Sequence, residues 1–272
     1  MQHVGRVINR VIQAGERASE KEHKREISSG ENCPRCRGQG IYLENGVAHR
    51  CSCMKQKAIN NRFRHANLVG RMREYTFEKF DFRFYSPVLK DTEVTGLSYR
   101  DIAVRTFEAA KRFVEEVKVN PHCRGLFVCG PTGSGKTFLA AAIANSLILN
   151  GHQVLFTVVP DLLDEIKATY DRPDSAYREM ELIDAARRVE VLILDDLGAH
   201  NYTDWTRNKI YSILNFRLNH RLPAVITSNL ELAELEEYLG ERTTSRIVEM
   251  CRVYRLLVDR DIRYLINQTR ER

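Results

Sequence analysis

No apolar run in these 272 residues reaches the ~18–20 that a membrane-spanning helix needs. The longest, Phe138 to Leu149, is too short and is interrupted by Asn145 and Ser146. The first residues carry no apolar stretch resembling a secretory signal. These two absences exclude a helical membrane protein and make the cytoplasm the expected compartment. Internal repeats and long low-complexity tracts are missing too, which sets aside repeat arrays. Acidic residues are wholly missing from 55–73.

That last gap belongs to a wider asymmetry. Residues 1–75 hold 15 Lys and Arg against 7 Asp and Glu, whereas the rest holds 27 against 29. The net charge of +6 therefore comes from the N-terminal quarter. Nucleic acid or an acidic protein surface suits such a module, and a solvated charged helix would give the same count. Seven cysteines, an odd number, with four packed between Cys33 and Cys53, argue against a disulfide framework.

Four segments follow from the texture of the chain. In residues 1–29, Val4, Val7, Ile8, Val11 and Ile12 recur at helical spacing, which predicts an amphipathic helix over 3–26. Its stripe is expected to pack on its own domain or on a partner. Residues 30–60 are the cysteine-rich stretch. Residues 61–95 read as a basic and aromatic linker with Tyr75, Phe77, Phe80, Phe82, Phe84 and Tyr85. Residues 96–272 alternate short apolar strands with helices. Strands are expected at Leu126–Cys129, Val154–Val159, Val191–Leu194, Ala224–Thr227 and Val253–Val258. Helices are expected at 99–118 and 136–149, from Leu162 behind an Asp161 cap, from Thr203 or Asp204 to about His220, and at Glu231–Leu239 and Glu241–Met250. The fold class is α/β, a parallel sheet covered by helices on both faces.

Gly130, Pro131, Thr132, Gly133, Ser134, Gly135, Lys136 and Thr137 satisfy G-x-x-x-x-G-K-[ST] between a strand and a helix. The glycines let backbone N–H groups close on phosphate oxygens, and the helix presents its positive end. Lys136 would face the β- and γ-phosphates, and Thr137 would offer its hydroxyl to Mg²⁺. About sixty residues later an apolar strand ends in Asp195 and Asp196. Asp195 is expected to help hold Mg²⁺ and Asp196 to orient or deprotonate the attacking water. Asp196 is one methylene shorter than glutamate, so its reach is less. Asn229, at the polar tip of a third strand, would either position that water or cap the next helix.

Cys33 and Cys36 form a C-x-x-C knuckle, and Cys51 and Cys53 close the set. Four thiolates at that spacing predict a tetrahedral Zn²⁺ site, with His49 near enough to replace one of them. A redox pair is the alternative. The residues around the knuckle do not look like the helix start that a thioredoxin-type motif expects.

The strand ends, followed by Gly240, Glu241, Arg242, Thr243, Thr244, Ser245, Arg246 and Ile247 and later by Asp261, Ile262 and Arg263, resemble AAA+ ATPases. The likeness covers roughly 95–268 and is greatest to the bacterial replicative helicase loaders of DnaC and DnaI type, with IstB-like transposition helpers as near relatives. The resemblance implies Asp195 and Asp196 as the Walker B pair and Asn229 as sensor 1. Arg246, rather than Arg242, would be a finger supplied to a neighbouring subunit, and Arg263 would be sensor 2. It implies ATP, Mg²⁺ and Zn²⁺ as cofactors, a homo-oligomeric ring or spiral when ATP is bound, and a replicative DNA helicase and single-stranded DNA as partners. DNA would meet Lys167, Tyr170, Arg172 and Arg178, or the run Arg50, Lys55, Lys57, Arg62, Arg64, Arg71 and Arg73. The expected function is helicase loading. A transposition helper, or an adaptor that binds ATP with little hydrolysis, is the alternative.

Overall fold

The computed structural model describes residues 33, 36, 37, 39–44, 47–68, 70–92, 94–168, 175–198 and 202–270. The helix expected over 3–26 lies outside them, as do Tyr170 and Arg172 and the side chains of Arg50, Lys55 and Arg178. The chain forms two compact units, 1–61 and 62–272.

In the first unit, β1 (Ile41–Glu44) and β2 (Val47–Arg50) make an antiparallel hairpin that was not legible in the alternation of the sequence. Tyr42 lies opposite His49, and their rings stack 5.6 Å apart. Helix α1 (Ser52–His65) follows.

The second unit is built on five parallel strands: β3 (Gly125–Cys129), β4 (Val154–Val158), β5 (Val191–Leu197), β6 (Ala224–Ser228) and β7 (Cys251–Arg255), in the order β4-β5-β6-β3-β7. Their apolar residues split by parity, because successive side chains on a strand point to opposite faces. Leu126, Val128, Ile193 and Val225 join one core with α2 (Tyr99–Val119) and α3 (Lys136–Leu149). Phe127, Leu192, Leu194 and Ile226 join the other. That second core is closed by α4 (Val159–Lys167), α5 (Ser175–Arg188), α6 (Asp204–Asn219), α7 (Leu232–Leu239) and α8 (Glu241–Met250). A last helix, α9 (Ile262–Arg270), comes back to the phosphate loop. No helix among the described residues is long and apolar enough to cross a membrane.

Several expected boundaries move. Helix α4 starts at Val159, not behind Asp161, because Pro160 sits in its first turn, where a missing N–H costs no intrahelical bond. The last strand begins at Cys251, two residues early. Strand β5 runs on through both aspartates to Leu197, with a register irregularity after Leu194. Thr203 is the cap of α6, accepting from the Thr206 N–H.

The aromatic stretch expected as a linker is part of the second unit. Phe77, Phe80, Phe82, Phe84 and Tyr75 pack against the α2–α3 core, and Tyr85 is buried in it. Phe80 meets Phe82, Tyr85, Phe107 and Phe138 within 6 Å, because rings of this size leave water wherever an apolar face is offered. On the far side, the buried Arg217 donates to the carbonyls of Ala186, Arg187, Val189, Glu190 and Pro223, tying the end of α5 to the strand starts. Burial pulls its pKa down to about 9.

Candidate nucleotide site

The loop between β3 and α3 turns on glycines. Gly130 has φ 147°, and a Cβ there would lie 2.1 Å from the Leu256 carbonyl oxygen. Gly133 has φ 74°, and a Cβ there would meet the Asp261 carboxylate at 2.0 Å. Larger residues would push the loop off β7 and off α9. Beneath the loop, the buried Tyr85 hydroxyl donates to the Ser134 carbonyl oxygen at 2.8 Å.

Lys136 is buried at the start of α3. Its ammonium group donates to the carbonyl oxygens of Gly130 and Pro131 and to Asn229 Oδ1, all within 2.7–2.8 Å. Burial pulls its pKa down to about 8, against the pull of Asp196 and Asp195. Asn229 passes the link on: its Nδ2 donates to Asp196 Oδ1 at 2.7 Å. The structure thus joins Lys136, Asn229 and Asp196 in one chain of hydrogen bonds. Asp196 has φ 61°, a left-handed backbone at which β5 turns this carboxylate toward β6.

Asp195 points the other way. Its oxygens accept from Thr137 Oγ1 at 2.9 and 3.1 Å and from Thr227 Oγ1 at 2.6 Å. Burial raises its pKa, while the two hydroxyls oppose that rise. Thr227 also accepts from the Asp196 N–H, so one hydroxyl holds both acids in register. A hard cation favours such oxygen donors, and Thr137 and Asp195 are the pair that would hold Mg²⁺. The Ser134 hydroxyl, buried in the loop, makes no hydrogen bond. An oxygen-rich ligand in the loop would satisfy it.

The two arginines lie apart. Arg263, on the first turn of α9, forms a two-pronged pair with Asp261 at 3.2 Å. Arg246 lies on α8, its Nε donating to Asn215 on α6 and its Nη1 3.6 Å from Glu249. Arg242 is exposed on the same helix. Arg124, ahead of β3, holds the end of that helix by donating to the Val248 and Cys251 carbonyls. A separate cleft beside β4, of about 850 Å³, is lined by residues including Arg62, His65, Leu155, Met180 and Arg188 rather than by the phosphate loop.

In the first unit the four thiols of Cys33, Cys36, Cys51 and Cys53 lie within 4.8 Å of one another. Cys36 and Cys53 sulfurs are 3.3 Å apart, and those of Cys33 and Cys51 3.6 Å. A zinc ion with four sulfurs at ~2.3 Å needs sulfur–sulfur edges of ~3.8 Å, so the set fits. The Gly40 N–H donates to the Cys36 sulfur, support that a thiolate needs. His49 is exposed and stacked on Tyr42, outside the cluster.

Tyr85, Thr227 and Asp261 were not singled out as site residues in the sequence. Thr227 carries the only visible signal, a hydroxyl inside an otherwise apolar strand.

The phosphate loop after β3, the acid-tipped β5 set one strand away beyond β6, and the parallel sheet covered on both faces define a AAA+ ATP-binding protein. More narrowly, the chain belongs to the IstB-like ATP binding protein family, whose model matches residues 41–253. It is 30% identical to the phage-like element PBSX protein XkdC of Bacillus subtilis (strain 168), over 84% of this chain and 82% of that one. It is 30% identical to the replicative helicase loader DnaC of Escherichia coli (strain K12) over 51% of this chain, a match spanning about half (55%) of the loader. Among solved structures, that of DnaI shares 28% identity at a TM-score of 0.53, covering 71% of this chain and 96% of that one.

Proposed function

We propose that the protein uses ATP to load a replicative DNA helicase onto single-stranded DNA. The observation that carries this reading is the likeness to DnaI, which extends over nearly all of that chain at 28% identity. The four-cysteine module and the basic N-terminal quarter favour it over a transposition helper, which the family description alone would equally suit.

Hydrolysis starts from the hydrogen-bond chain. On ATP entry the Lys136 ammonium exchanges the Gly130 and Pro131 carbonyls for β- and γ-phosphate oxygens. Thr137 and Asp195 would hold Mg²⁺, which would supply positive charge to offset that of the phosphates. Asn229 keeps the Asp196 carboxylate facing the γ-phosphate. A water oxygen bonds to the γ-phosphorus, the bond to the β–γ bridging oxygen breaks, and Asp196 takes the water proton. ADP and phosphate leave. Arg246 stabilises the transferring phosphoryl group from a neighbouring subunit and Arg263 from within its own, so turnover depends on assembly into a ring or spiral. Cys33, Cys36, Cys51 and Cys53 hold Zn²⁺ and shape the helicase-facing module. Single-stranded DNA meets the α4 end, where the ammonium groups of Lys167 and Lys209 lie 5.9 and 5.6 Å from the Trp205 ring.

The test is size-exclusion chromatography with light scattering, on full-length protein mixed with the replicative helicase of the organism that encodes it. A complex that forms with ATP and is lost in a Cys36→Ser, Cys53→Ser variant is the expected result. No complex under any nucleotide condition would overturn the loader reading in favour of a transposition helper.

A further inference from the structure

Asp261 has no part in the hydrolysis just described, yet its carboxylate sits directly against the phosphate loop. The Ile262 N–H donates to the Gly133 carbonyl at 3.0 Å, which pins the start of α9 to the loop. The carboxylate then rests in the space that only a glycine at 133 leaves open, 2.0–2.5 Å from where a Cβ would stand. From there it accepts from the Arg263 N–H at 2.8 Å and from Nε and Nη2 of the same side chain at 3.2 Å. The Arg263 side chain is otherwise 70% exposed. Its positive charge is near enough to oppose protonation of Lys136. A cation at the lip of a phosphate site is thus held by an acid fixed to the loop itself.

We propose that Asp261 is a positioning residue that stores Arg263 at the lip of the phosphate loop and yields it to the terminal phosphate of ATP. The inference rests on the reading of Arg263 as facing the nucleotide. Two charge effects follow. The carboxylate neutralises Arg263 and adds negative charge beside the cradle, so it opposes nucleotide entry. A triphosphate competes for the guanidinium more strongly than a diphosphate, so the cost of breaking the pair falls on ATP more than on ADP.

Asp261→Asn isolates the charge. Asparagine keeps the size of the side chain and still accepts from the Arg263 N–H, so the start of α9 is preserved. Binding of fluorescent ATP and ADP analogues is measured for the full-length wild type, Asp261→Asn, Arg263→Ala and the double variant, with Asp261→Glu as the conservative control. The expected result is a three- to tenfold gain in ATP affinity for Asp261→Asn, a smaller gain for ADP, and loss of the ATP-specific part of the gain when Arg263 is alanine. Asp261→Glu should restore discrimination toward the wild-type value. If Arg263→Ala in the wild-type background leaves ATP and ADP binding unchanged, the reading of Arg263 itself fails. If Arg263→Ala weakens ATP binding but Asp261→Asn acts equally in both backgrounds, the storage role is overturned while the nucleotide site stands.

Discussion

The two units of the chain are held together by different physics. In the cysteine module, Cys36 and Cys51 are the only apolar side chains buried among the described residues, while Ile41, Leu43 and Val47 of the hairpin stay 54%, 75% and 57% exposed. So little burial cannot offset the entropy of ordering the segment, and the four sulfurs are what remains to fix it. The ATPase unit, by contrast, buries both faces of a five-stranded sheet and spends its polar groups on a site. The proposed zinc would carry the described part of the first unit, and hydrophobic burial carries the second. One is expected to fail without touching the other.

The largest effect should come from breaking the metal side. Structural zinc in small modules contributes on the order of 10 kcal/mol of folding free energy. Chelation, or Cys36→Ser with Cys53→Ser, should therefore abolish amide-exchange protection in the hairpin β1–β2 while leaving that of β3–β7 unchanged. Equal loss in both units would break the comparison.

Within the ATPase unit, Asp196→Asn should lower turnover by about 10²–10³-fold with ATP binding kept, since the amide cannot take the water proton. Single-turnover hydrolysis beside equilibrium binding separates the two quantities. Lys136→Ala should do the reverse in kind: ATP binding falls about 10–100-fold, because three polar partners and the phosphates lose their common cation. The melting of the cysteine module should not move in either variant.

Lys136 also sets a pH dependence. Burial pulls its pKa down to about 8, below the ordinary lysine range, and phosphate contact raises it. Binding therefore takes up a proton above pH 8, and ATP affinity should fall by at most about tenfold from pH 8 to 9. The same depression means that the unfolded chain holds more protons between about pH 8 and 10.4, so this group's contribution makes the empty protein more stable as pH rises through that window. Calorimetry in buffers of different ionisation enthalpy reads the proton uptake directly. The smallest effect is that of Tyr85→Phe. Losing the bond to the Ser134 carbonyl should lower stability of the ATPase unit by about 1 kcal/mol and leave the cysteine module alone.

How legible each region was in the sequence follows the same division. The sheet could be read because its strands are short apolar runs buried on both faces, and because the loop at Gly130–Thr137 announces itself by spacing. The pairing of Lys136 with Asn229 and Asp196 could not, since it depends on β5 turning at a left-handed Asp196 that no residue preference signals. The aromatic stretch reads as a linker although Phe80, Phe82 and Phe84 alternate at strand spacing. Short 3₁₀ turns at Phe77–Lys79 and Phe82–Phe84 deliver them to one core instead. The cysteine set was legible from spacing alone, since ligand geometry constrains sequence more tightly than packing does. Asp261 carries no signal of its own in the sequence, because its place on Gly133 is a tertiary contact across more than a hundred residues.

The most direct test of the central claim is a loading assay. The full-length protein, the replicative helicase of its own organism and a forked duplex on closed circular single-stranded DNA are combined, and strand displacement is followed with ATP. Displacement that needs the wild-type protein, and that is lost with Lys136→Ala or with the doubly substituted cysteine set, is the predicted result. Displacement at the same rate with and without the protein would contradict the account.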